Sequence, residues 1–156
     1  MKLDNFDIKT LAELQNDFRA SFDDINNVIG LSVTSCYRRI QRLKETGIIG
    51  DKAVLLSHSN LGLNFEAHVE VKLAISIERF ERLVNLYPEI IKCYAVEGDV
   101  DFILRVITRS SVDFDHFIRD RFLERSIISS TETFIVVRRV VDRQALPLKH
   151  VTLNKQ

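Results

Sequence analysis

Gly30-Leu31-Ser32-Val33-Thr34-Ser35-Cys36-Tyr37-Arg38-Arg39-Ile40-Gln41-Arg42-Leu43-Lys44-Glu45-Thr46-Gly47 is the stretch whose reading decides the fold. Ser32 stands one residue before a helical pattern, where its hydroxyl can accept from the free N–H groups of a first turn. Gly47 follows Thr46, where a left-handed residue closes a helix without steric penalty. The spacing predicts a helix over 33–46. At about 100° per residue, Cys36, Ile40 and Leu43 fall on one side. Thr34, Ser35, Arg38, Gln41 and Arg42 fall on the other, with Arg39 at the edge. A stripe of this kind buries against neighbouring helices.

Upstream, Phe22–Ile29 reads as a short helix that Ser21 caps and Gly30 ends. Before it, Asp4–Phe18 brings Phe6, Ile8, Leu11, Leu14 and Phe18 near helical spacing, with Asp4 as cap and Asp7 favoured in the first turn. Three helices, the last two joined by a tight turn at Gly30-Leu31-Ser32, make a helix-turn-helix pattern.

Downstream the period changes. Ile48–Leu56 is apolar and partly β-branched, and is expected as a connecting strand. From Phe65, the residues Phe65, Ala67, Val69, Val71, Leu73 and Ile75 alternate with Glu66, His68, Glu70 and Lys72, the period of a half-buried strand. Phe80, Leu83, Val84 and Tyr87 then return to helical spacing, stopped by Pro88. Strands are expected at 90–97 and 102–108 around the turn Gly98-Asp99-Val100-Asp101. A helix carrying Phe114, Phe117, Ile118 and Phe122 and a strand over 130–141 complete the series. The order is β-α-β-β-α-β. The fold class is therefore α+β: an N-terminal three-helix, winged-type helix-turn-helix and a C-terminal ferredoxin-like domain. The expected divisions are a helix-turn-helix over 1–50, a linker strand over 51–63, the ferredoxin-like domain over 64–142 and a tail over 143–156. Helices on one side of a small sheet leave its other face to a twin, so a homodimer is expected.

Composition narrows the function classes. Apolar residues make up 46% and charged residues 28%, which excludes a disordered or fibrous chain. No apolar run approaches a membrane span and the N-terminus lacks the apolar core of a secretory signal, so the cytosol is expected. Two separated cysteines, Cys36 and Cys93, suit buried thiols rather than a disulfide framework or zinc site, and no metal or cofactor is expected.

The formal net charge is zero, so a DNA-binding reading must rest on where the cations lie. The helix over 33–46 holds Arg38, Arg39, Arg42 and Lys44 against one acid, Glu45. Arginine offers forked donors to guanine or phosphate, and glutamine can pair with adenine. Residues near the start of such a helix face base edges. The candidate set for double-stranded DNA is Ser32, Thr34, Ser35, Arg38, Arg39, Gln41 and Arg42. Thr34, Ser35 and Arg38 are expected at bases, Arg39 and Arg42 at phosphate.

Several motifs in order now carry a resemblance. Leu3-Asp4, Asp7, Ile8, Leu11, Leu14-Gln15, Asp17 and Arg19 are followed by Gly30-Leu31-Ser32, Thr34, Cys36, Arg39-Ile40, Arg42-Leu43 and Gly47-Ile48-Ile49. In the second half, Gly98-Asp99-Val100-Asp101-Phe102 and Thr131-Glu132-Thr133-Phe134 complete the pattern. The chain resembles the Lrp/AsnC, or feast/famine, regulators over nearly its whole length. The resemblance implies a transcription regulator whose C-terminal domain dimerises and, in many members, associates further into octamers and binds an amino-acid effector between subunits. It makes Gly98, Asp99 and Asp101 the effector candidates. An aspartate can pair with an α-ammonium, and glycine-turn N–H groups can hold an α-carboxylate. Two features depart from the family pattern: Asn26 replaces a small residue and Ser126-Ile127 replaces a common Pro-Gly; Leu146-Pro147-Leu148 is seen in one subset of the family.

Two other classes compete. An enzyme similar to the haem-pathway decarboxylases of this fold would need grouped histidines, whereas His58, His68, His116 and His150 are dispersed. No glycine-rich phosphate loop, nucleophile elbow or acid–base pair stands out, so no catalytic residue is assigned. An effector sensor without DNA binding draws on Asn26 and the neutral charge, against the Ser32 cap and the arginines at 38, 39 and 42.

Overall fold

The computed structural model describes residues 3–17, 19–50 and 54–151. It divides into two compact units, one formed by residues 1–54 with 141–156 and the other by 55–140. Three helices build the first: α1 (Asn5–Asn16), α2 (Phe22–Ile29) and α3 (Val33–Glu45). Their ends follow the local chemistry. Asp4 and Asp7 cap α1 reciprocally, as do Ser21 and Asp24 at α2, each pair satisfying two backbone N–H groups that would otherwise lack partners. Gly30 closes α2 at φ 75°, in the left-handed region, with its N–H donating to the Asn26 carbonyl at 2.7 Å. Ser32 caps α3, which ends one residue before the expected Thr46.

Ile25, Ile29, Cys36 and Ile40 form the core of this unit, with Leu14, Ala20, Leu31 and Ile49 against it. Cys36, Ile40 and Leu43 are buried, as their spacing requires. The first helix departs from its expected face. Asp7 and Thr10 are fully buried beside Leu11, whereas Phe6 is exposed. Thr10 satisfies its hydroxyl on the Phe6 carbonyl at 2.7 Å, and Asp7 meets cations described below. Phe18 lies outside the described residues. Leu146, within the expected tail over 143–156, falls in this unit. Gln15 exchanges two hydrogen bonds with the Leu146 backbone, accepting from its N–H at 2.7 Å and donating to its carbonyl at 3.3 Å.

The expected connecting strand is not formed at 48–50 or 54–57; the intervening 51–53 lie outside the described residues. Its apolar side chains Val54, Leu55 and Leu56 are exposed, so no partner strand in the described residues holds them.

The second unit runs β1 (Phe65–Leu73), α4 (Ile77–Val84), β2 (Ile90–Ala95), β3 (Phe102–Thr108), α5 (Ser111–Ile118) and β4 (Ile128–Ile135). The α5 segment continues through a wider helical turn at Arg119–Leu123. The antiparallel sheet has the order β2-β3-β1-β4, with Val69 opposite Leu104 on one side and Thr133 on the other. Ala67, Val69, Val71, Leu104 and Val106 meet Phe80, Phe117 and Phe122 in one core. Each such fully buried side chain contributes about 1.5–3 kcal/mol relative to exposure. β4 starts two residues before the expected 130 and stops well short of 141. Its last cross-strand bond, from Val136 N–H to the Glu66 carbonyl at 2.9 Å, lies where β1 begins, so residues beyond have no strand to pair with.

Candidate nucleic-acid interface

On α3 the outward side chains are Thr34, Tyr37 and Arg38, all exposed, with Ser35 and Gln41 half-buried beside them. Ser32 accepts from the Ser35 N–H at 3.3 Å and donates its hydroxyl to Ser35 Oγ at 3.0 Å. Both serines are thus engaged in starting the helix. Tyr37 was not singled out by charge or capping. It is 51% exposed and its ring meets Phe22 edge-on at 5.5 Å, tying α2 to α3. Its place between Thr34 and Arg38 on the same face was the available signal. Asn26, a departure from the family pattern, is half-buried on α2.

Arg39 and Arg42, expected at phosphate, are first engaged within the domain. Arg39 Nη1 donates to Asp4 Oδ2 at 2.7 Å and Asp7 Oδ1 at 2.8 Å, and its guanidinium lies over the Phe6 ring at 5.5 Å. Arg42 Nη2 donates to both Asp7 oxygens at 2.6 Å. The Asp7 side chain is 1% exposed, those of Arg39 and Arg42 22% and 44%. A buried carboxylate without these partners would be very costly, so the two cations accompany Asp7 and fasten α3 to the start of α1. Burial pushes the Asp4 carboxyl upward, but the Asp7 backbone N–H and the Arg39 guanidinium outweigh it and hold it below the usual range. Arg38 and Arg42 are both exposed, but Arg42 is engaged by Asp7, so Arg38 is the exposed arginine of the outward face that Asp7 does not hold.

The turn between β2 and β3 divides its expected roles. Gly98 has φ 153°, a conformation that side-chain-bearing residues rarely adopt, with open space where a Cβ would stand. The requirement for glycine is therefore one of backbone, not room. Asp99 is exposed. Asp101 instead ties the hairpin to β1: Oδ2 accepts from the Leu73 N–H at 2.7 Å, and its own N–H donates to the Val71 carbonyl at 3.0 Å.

Other chemistry is sparse. Among the described residues no group of three or more His, Cys, Asp or Glu is placed to hold a metal, and no helix is long and apolar enough to cross a membrane. His68, His116 and His150 are exposed, while His58 is half-buried beside Glu66. Cys93 is half-buried in an open groove of about 530 Å³ between α4 and β2, where burial and then Glu81 push its thiol up, away from nucleophilic character.

A capped, outward-facing helix on a three-helix unit, followed by a β-α-β-β-α-β unit, defines a helix-turn-helix regulator with an appended sensing or assembly domain. Residues 3–44 match the AsnC-type helix-turn-helix domain and residues 66–146 the Lrp/AsnC ligand binding domain. The chain belongs to the Lrp/AsnC family of DNA-binding transcriptional regulators. It is 30% identical over 151 residues to the glutamate uptake regulatory protein of Zymomonas mobilis, covering 94% of this chain and 92% of that one. It is 33% identical over 143 residues to the proline dehydrogenase transcriptional activator of Rhizobium radiobacter, covering 88% and 91%. A transcriptional regulator of Neisseria meningitidis, solved in complex with L-Met, superposes with a TM-score of 0.89 at 29% identity, over 95% of this chain and 98% of that one.

Proposed function

We propose that α3 enters the DNA major groove with Thr34, Arg38 and Gln41 toward base edges. Tyr37 and Lys44 lie on its flanks, while Arg39 and Arg42 act mainly by fixing the helix to α1. The observation that carries this reading is the exposed Arg38 on a helix whose other arginines are occupied by Asp7. Ser32 and Ser35 serve the first turn, from which a backbone N–H can meet phosphate. The protein acts in the cytosol as a homodimer that can associate into an octamer, and not as an enzyme. Supporting assembly is the sheet face opposite α4 and α5, where Tyr94 and Phe134 are exposed.

The same reading gives the protein an amino-acid effector near the turn at 98–101. Asp99 is the residue available to an α-ammonium, Gly98 sets the backbone, and Asp101 holds the turn in place. Two experiments test the pair of claims. Selection from random double-stranded DNA should enrich a two-fold-related motif; recovery of no motif at low salt would remove sequence-specific binding. Calorimetry against the twenty common amino acids should give heat with at least one and less with Asp99→Ala. Silence with all twenty would remove the effector claim.

A further inference from the structure

Glu66 lies on the sheet face opposite the helices, where the alternation predicts a solvated side chain, yet it is buried, with 8% of its side chain exposed. Arg105 Nε of β3 donates to Oε1 at 2.7 Å, and Arg139 Nε donates to Oε2 at 3.1 Å, with Arg139 Nη2 on the same oxygen. His58 Nε2 stands 3.6 Å from Oε2. His58 Nδ1 meets the Leu63 carbonyl at 2.6 Å and must donate there, which leaves Nε2 as the acceptor that Arg139 Nη2 also meets. Burial raises the Glu66 carboxyl, and the two guanidiniums overcome it and hold it below its ordinary range.

The positions of these partners matter more than their number. The chain leaves its first unit near residue 54 and returns to it near residue 141. His58 belongs to the outgoing segment and Arg139 to the returning one. Both segments lack strand structure; Arg139 is fastened directly to a carboxylate on β1, itself anchored across the sheet by Arg105, and His58 is held to the same group through Arg139 Nη2. We propose that Glu66 is a positioning residue for DNA recognition: it pins the returning crossing to the sheet through Arg139, and through Arg139 also the outgoing one at His58, and so fixes the points from which the DNA-reading unit is tethered. A dimer on two half-sites gains its second contact at an effective concentration set by tether freedom. Pinned crossings therefore sharpen the preference for one half-site spacing. The link to DNA rests on the reading above; the pinning itself does not.

Trypsin provides a measure of pinning that is independent of DNA, because cleavage after Arg139 requires its guanidinium to leave Glu66. In Glu66→Gln protein, cleavage after Arg139 should be at least about ten-fold faster, with cleavage after the exposed Arg82 and Lys92 unchanged as a check on global folding. Arg139→Gln, which leaves β1 intact, should expose the bond after Arg138 in the same way. On selected DNA with one to five base pairs inserted between half-sites, the parent should prefer one spacing by ten-fold or more and both variants by less than three-fold. Unchanged cleavage in both variants would overturn the pinning. Faster cleavage with an unchanged spacing preference would overturn the positioning role. A parent that selects no DNA would defeat the functional reading, and the cleavage rates would still decide whether the returning crossing is pinned.

Discussion

Replacing Asp7 and Arg42 by alanine, singly and together, tests how α3 is held. Arg42 Nη2 lies 2.6 Å from both Asp7 oxygens, on a carboxylate almost wholly withdrawn from water. At an effective dielectric of about 20, unit charges about 4 Å apart attract by about 4 kcal/mol. The Arg42 side chain is 44% exposed, however, and solvent screens it. A coupling of about 1–2 kcal/mol follows, above the value of a surface pair and below that of a buried one. Asp7→Ala alone should cost about 3 kcal/mol, because it also takes one of the two carboxylate partners of Arg39, leaving Asp4, and removes half of the reciprocal cap. Arg42→Ala should cost less than Asp7→Ala, since Arg39 still accompanies the carboxylate. Urea unfolding followed by far-ultraviolet circular dichroism gives all four corners of the cycle. A coupling below about 0.3 kcal/mol would mean that the two side chains act independently and would refute the fastening of α3 through Asp7.

Two further outcomes are expected. Ser126 adopts φ 51°, the sole left-handed residue other than glycine among those described, so Ser126→Gly should raise stability by about 0.5–1 kcal/mol, read as a higher denaturation midpoint. The Asp4 carboxyl is held below its ordinary value near 3.8, so its contribution is complete above that pH and is lost as pH falls through the lowered value. Acid titration of Asp4→Asn should accordingly show a shallower loss of the N-terminal helices below pH 3.8 than the parent.

What the sequence made legible was local. Ser21, Ser32 and Gly30 announce helix ends through bonds that span three or four residues, and the alternation at 65–75 shows which side of β1 meets the helices. What it concealed depends on distant partners. Asp7 reads as a first-turn acid until Arg42, 35 residues on, closes over it. Glu66 reads as a solvated alternate until Arg105 and Arg139, 39 and 73 residues on, bury it. The end of β4 is set by where β1 begins, which the Val and Ile content of 136–141 does not disclose. At the candidate interface the helix and its outward face were legible. The division of its arginines between DNA and Asp7 was not, because periodicity places a side chain on a face without naming its partner. The turn at 98–101 behaved likewise, with Asp101 facing a strand N–H that only the folded sheet brings near.

Arg38 is the arginine of α3 proposed to read bases, and the affinity of Arg38→Ala for selected and scrambled DNA over a range of salt measures this directly. Loss of a good base contact, about 1–3 kcal/mol, should lower the ratio of selected to scrambled affinity by about 5- to 150-fold. Arg42→Ala, compared under conditions where it remains folded, should keep that ratio. If Arg38→Ala retained the parent's full discrimination while Arg42→Ala lost it, the assignment of DNA reading and helix fastening to these two residues would be reversed.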